Sequence, residues 1–113
     1  MSVGAGDLRD RWTFQQRAVD ANGARRGPWE EGFSVSAKVT WLIGSEAVMQ
    51  DRLTGRQPVV LTIRESSMSR QITPGWRAFD ARRAGREANI TAVSPSKTRG
   101  FLDVLAVIGV AQG

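Results

Sequence analysis

A chain of 113 residues with a formal charge of +5 is long enough for one domain and basic enough to favour acidic or phosphate-bearing partners. It contains no cysteine and no histidine. That excludes a disulfide framework and a thiolate metal site, and it removes the commonest general base.

Residues 1–10 are expected to form a flexible arm. They have neither the apolar core nor the basic start of a secretory signal, so a non-secreted, soluble chain is expected. From 11 to 17 the chain alternates, with Trp12, Phe14 and Gln16 on one face and Arg11, Thr13, Gln15 and Arg17 on the other. This is the pattern of a half-buried strand with a basic outer face. Residues 18–32 follow as a long polar loop with a turn signal at Asn22-Gly23, a candidate for contact or flexibility.

Phe33, Val35, Ala37, Val39 and Trp41 then alternate with Ser34, Ser36, Lys38 and Thr40, the cleanest two-residue period in the chain. Segment 44–57 reads as a short helix between glycines: Ser45 caps it, Glu46 complements its dipole and Gly55 ends it. Further strands are expected over 58–65, 70–73, 76–81, 87–94 and 101–110. Pro74-Gly75 suits a type II turn. The last strand is apolar on both faces, which suggests burial in the core or against a neighbouring subunit. Its apolar run, 104–111, falls far short of the ~20 residues that span a bilayer, so no membrane role is expected. The fold expected is mainly β: one domain over 1–113, a small antiparallel barrel or sandwich of six to seven strands with one short helix.

The motifs of catalysis are missing. Gly4-Ala5-Gly6 has no strand before it and is no phosphate cradle. Glu46 and Asp51, five apart, face different sides of a helix, and Glu30-Glu31 reads as solvated charge. No catalytic residue, metal ligand or cofactor site is expected, and a hydrolase would need an organised nucleophile and base that do not appear. Asn89-Ile90-Thr91 matches a glycosylation sequon by chance.

The basic residues are more informative, arginine supplying all but Lys38 and Lys97 of the 16. Arg25-Arg26, Arg52 with Arg56, Arg82-Arg83 with Arg86, and Lys97 with Arg99 fall in expected loops or at the helix end. Gathered at one end of a barrel they would make a basic rim, and a ring of subunits would multiply it into a collar for DNA phosphates. Most aromatics sit at alternating strand positions expected in the core. Trp29 and Trp76, beside turns, are the candidates for exposed contacts. Arg25, Arg26, Trp29, Trp76, Arg82, Arg83, Lys97 and Arg99 are therefore the interface candidates.

Several short stretches in succession resemble one family. They are Gly6-x-Leu8-Arg9-x-Arg11 leading into Phe14-Gln15-x-Arg17, Asn22-Gly23, Trp29, Val35-x-Ala37-x-Val39, and Gly44-x-Glu46. Thr62-Ile63-Arg64, Arg70-x-Ile72, Trp76-Arg77 and 89–93 continue the series. Their order is similar to that of the phage head–tail joining (head completion or stopper) proteins of tailed phages and gene transfer agents. The resemblance implies a non-enzymatic protein of the virion neck, assembled in the host cytoplasm. It implies a homo-oligomeric ring, six- or twelve-fold, between the portal or adaptor and the tail terminator or tail tube. Such a ring helps retain packaged double-stranded DNA and offers the tail its docking surface. In some members the segment after the second strand closes the channel. Here that is 44–57, making Ser45, Glu46, Gln50, Asp51, Arg52 and Arg56 the channel- or DNA-facing candidates. Two other readings stay open: a tail terminator or other neck protein, and a small basic β-barrel that binds single-stranded nucleic acid as a monomer.

Overall fold

A computed structural model describes residues 8–24, 26–42, 49–50, 53, 55–82 and 86–109. Six strands form: β1 (Asp10–Gln15), β2 (Phe33–Trp41), β3 (Gln57–Arg64), β4 (Arg77–Asp80), β5 (Glu87–Pro95) and β6 (Phe101–Ile108). Every neighbouring pair is antiparallel, and the order β1-β2-β3-β6-β5-β4 closes on itself through β4 and β1. The expected mainly-β barrel is what forms. Closure leaves no strand of the ring without a neighbour on either side, although one stretch of wall is only partly zipped.

The two-residue period explains why these segments make one wall. Trp12 and Phe14 of β1, Ala37 of β2, and Val59, Leu61 and Ile63 of β3 turn inward and are wholly buried. Ala78, Ala88, Ile90, Leu102, Val104 and Ala106 complete the lining from β4, β5 and β6. The lining mixes large side chains on β1 and β3 with the alanines Ala37, Ala78, Ala88 and Ala106 of the other four strands, the mixture of sizes that a narrow interior needs. Phe33 plugs one end, stacked on Phe14 at 5.8 Å and edge-on to Trp76 at 6.1 Å.

Three local features depart from simple alternation. Residues 70–73, expected as a seventh strand, instead begin inside a 3-10 turn at Ser69–Gln71. The cause is a pair of serines. The Ser69 hydroxyl donates to the Arg64 carbonyl and accepts from the Ser66 amide, while the Ser69 amide donates to Ser66 Oγ. Backbone groups satisfied locally in this way have no need of a sheet partner. In β5 the register shifts between Ile90 and Ala92, a bulge that spends Thr91 as an extra residue. Asp10 already pairs with Ala37, so β1 starts inside the stretch expected to be a flexible arm; residues 1–7 of that arm lie outside the described residues. Of the expected helix, Met49, Gln50 and Leu53 are helical.

Candidate functional site

Antiparallel pairing around the barrel sorts the connections between two ends. The links after β1, β3 and β5 share one end, and a bond from the Glu65 amide to the Gly100 carbonyl ties two of them together. The links after β2 and β4, with the start of β1 and the end of β6, share the other. There the Arg82 guanidinium donates to the Arg9 carbonyl. The expected single basic rim is therefore divided. Arg26, Lys97 and Arg99 belong to the first end, whereas Arg56, Arg82 and Arg86 belong to the second, and all but Arg86 are well exposed. Arg25 and Arg83 lie outside the described residues.

The second end carries the connection between β2 and β3, in which Met49, Gln50 and Leu53 are helical. Its base is held tightly. The Gln57 side-chain amide donates to the carbonyls of Leu42 and Pro58, at 3.0 and 2.7 Å, and the Leu42 amide donates to Pro58 O at 3.2 Å. Gly55 turns the chain at φ +85°, and Gly109 approaches so closely that a Cβ there would sit 2.3 Å from the Gly55 carbonyl oxygen. Glycine at both places allows the chain leaving the helix to lie against the end of β6.

What projects from that base is apolar. Leu53 is 85% exposed and Met49 51%, both in helical conformation. Trp41, expected in the core, is instead 42% exposed at the end of β2, with the Arg86 guanidinium 5.2 Å from its ring. Trp41 is on the last rung of β2, paired with Val59, where the strand ends. Gln50 and Arg56 are both exposed; Ser45, Glu46, Asp51 and Arg52 lie outside the described residues.

At the first end, the loop expected over 18–32 is zipped into an arm. The Ala18 amide donates to Pro28 O, the Gly27 amide to Ala18 O and the Glu30 amide to Gln16 O, extending the β1–β2 ladder past Arg17 and Trp29. Asp20 closes its tip, accepting from the amides of Asn22 and Ala24 with Gly23 at φ +82°. Trp29, half-buried, is pinned by two guanidiniums, those of Arg17 and Arg77, at 4.5 and 4.4 Å from the ring centre. Trp76 differs from expectation. It is 7% exposed and belongs to the core, so an isolated subunit does not offer it for contact. The turn before it, with Gly75 at φ +99° and the Trp76 amide bonded to Thr73 O, swings the indole inward.

The outer wall also has an apolar strip. Pro58 and Val60 on β3 face Val107 and Leu105 on β6, and all four are partly exposed. This is the second face of the last strand, whose two-sided apolarity was legible in the sequence.

A search for relatives separates the readings. The family model for phage head completion proteins matches residues 3–109. The chain belongs to that family. The family is one of structural virion proteins, and the match runs through every strand of the barrel. Among solved structures, the solution structure of a protein from Shigella flexneri 2a is similar with a TM-score of 0.65 and 25% identity, over 97% of this chain and 100% of that one. A chain of the virion of a native gene transfer agent particle shares the fold, with a TM-score of 0.58 and 24% identity over 90% of this chain and 94% of that one. No curated protein matches. The head completion protein described here is thus a structural virion component with the barrel of its family.

Proposed function

We propose that this head completion protein is a ring-forming subunit of the virion neck, set between the portal or adaptor and the tail. In that position it helps retain packaged DNA and gives the tail its docking surface. The observation that carries the reading is the connection between β2 and β3 at the second end. Exposed Met49 and Leu53 sit on a base clamped by Gln57, Gly55 and Gly109. Large apolar side chains left in water on a small barrel are a surface for assembly. The apolar strip of β3 and β6 serves as a neighbour contact, and the two differently furnished ends serve two different partners. Within 44–57, Gln50 and Arg56, with Ser45, Glu46, Asp51 and Arg52, face the channel. Arg52 and Arg56 meet DNA phosphates without reading sequence.

Deleting the gene and imaging the particles tests this reading. Finished heads accumulating apart from finished tails are expected, with heads emptied of DNA marking the retention role. Normal tailed, filled particles would refute it. Complementation with Leu53→Asp is expected to reproduce the deletion, although the purified variant folds as the parent does.

A further inference from the structure

The sheet register leaves one notch in the barrel wall. β2 pairs with β1 from Phe33 to Ala37, whereas its pairing with β3 runs only from Ala37 to Trp41. Beyond the Ala37–Ile63 pair the two strands part. β3 carries Arg64 to a place opposite Phe101 and then turns at Ser66, held by Ser69. Phe33 to Ser36 therefore have a sheet neighbour on one side only.

A cavity of about 350 Å³ fills the gap, lined by Arg11, Arg64, Ser34, Ser36 and Ser66, with Leu8 and Val35 as its apolar contribution. No carboxylate lines it. Arg11 reaches only the Ser34 carbonyl, at 3.4 Å, and the Arg64 guanidinium lies 5.8 Å from the Phe101 ring. Among the described residues neither arginine has an acidic partner. Two arginines lining one cavity with hydroxyls and an open strand edge make a site for an oxyanion carried on an extended backbone.

We propose that this notch docks an extended acidic segment of a partner chain, which adds as a strand beside Phe33 to Ser36 and sets a carboxylate against Arg11 and Arg64. Main-chain hydrogen bonds to a free edge supply affinity in such additions, and alternate side chains supply specificity. Here the specificity is acidic toward the arginines and aliphatic toward Leu8 and Val35. A nucleic-acid backbone fits less well. Asp10 and Glu65 stand next to the two arginines in the chain and interrupt any basic track for successive phosphates. The apolar lining also has no counterpart on a phosphodiester. The proposal does not depend on the neck reading and holds whichever partner supplies the strand.

The test is a titration of the ¹⁵N-labelled full chain with acetyl-Val-Glu-Val-Glu-Val-amide, followed by NMR. Its lysine-for-glutamate counterpart and a short oligothymidylate are titrated in parallel. Saturable shifts at Ser34, Ser36 and Arg64 to Ser66 are expected with the glutamate peptide alone. Arg11→Gln and Arg64→Gln are each expected to weaken its binding about tenfold, the scale of one charge-assisted hydrogen bond. Both side chains are exposed and, among the described residues, without ion pairs, so the variants' thermal midpoints should match the parent's. No response to the glutamate peptide at millimolar concentration would overturn the proposal. So would equal shifts with the lysine peptide, and shifts at the same amides with oligothymidylate alone would reassign the notch to nucleic acid.

Discussion

Replacing Trp29 with alanine tests whether the arm over 16–30 is held by its rings and charges or by its backbone ladder alone. Two guanidiniums lie about equally close to the indole, and each such contact at a partly exposed site contributes about 0.5–1 kcal/mol. Their sum is about 1–2 kcal/mol. Arg77 stays in place when the ring is removed, because its Nε donates to Gln15 Oε1 at 2.9 Å and its NH1 to Glu87 Oε1 at 3.2 Å. The arm, not the arginine, is what loses its tether. Hydrogen exchange of single amides is the assay. Those of Ala18, Gly27 and Glu30, bonded across the arm, should lose protection by about 5–30-fold in Trp29→Ala. Amides of β3 and β6 should keep theirs. A double-mutant cycle with Arg77→Ala should return a coupling of about 0.5–1 kcal/mol. Unchanged protection in the arm, or zero coupling, would refute the reasoning and leave the backbone bonds as the whole tether.

Other outcomes follow from the same geometry. Ser69→Ala leaves the Arg64 carbonyl and the Ser66 amide without their shared partner, and should cost about 1–3 kcal/mol in urea unfolding. Gly32→Ala would set a Cβ 1.7 Å from the Phe14 carbonyl oxygen, so the β1–β2 junction must move; a loss above about 3 kcal/mol is expected. Gly23→Ala meets open space and only the left-handed backbone penalty of about 1–2 kcal/mol, which makes it the control for Gly32. Leu53→Asp, at a side chain 85% exposed, should change unfolding stability by no more than about 0.5 kcal/mol, so its effect on particles reports assembly alone.

The barrel was legible because β1 and β2 alternate in period two, and β3 and β6 are short apolar runs bounded by turn residues. The lining of Trp12, Phe14 and Leu61 could be named from spacing, whereas the two apolar faces of β6 left Val104 unassigned. What escaped were places where a local bond competes with the sheet. Ser66 and Ser69 close a turn where Arg70-Gln71-Ile72-Thr73 looked extended, and Thr91 hides a bulge inside an apparently regular strand. The aromatics show the same limit. Trp41 keeps the parity of a core residue yet is exposed on the last rung of β2, and Trp76 sits beside a turn yet is steered inward by Gly75. Parity tells which wall face a side chain takes, but not the level along the barrel at which the interior ends. The notch at Phe33 to Ser36 lies beyond any reading of a single strand, since it exists only where two strands part.

The division of the chain's charge between its two ends bears directly on the neck proposal. A subunit that joined only copies of itself would need one pair of complementary side surfaces, and both ends could be alike. Here the ends differ in kind. One carries a cation-pinned arm with Arg26, Lys97 and Arg99 around it; the other carries exposed apolar side chains with Arg56, Arg82 and Arg86 beneath. The arm end is bound by backbone ladder and ring contacts, a surface that keeps its shape before any partner arrives. The helix end has a clamped base, from Gln57, Gly55 and Gly109, below the exposed apolar side chains of Met49 and Leu53. A connector joins two unlike partners, and two differently furnished ends suit that requirement. Exchange data on the arm and particle phenotypes at Leu53 therefore probe the two halves of one argument.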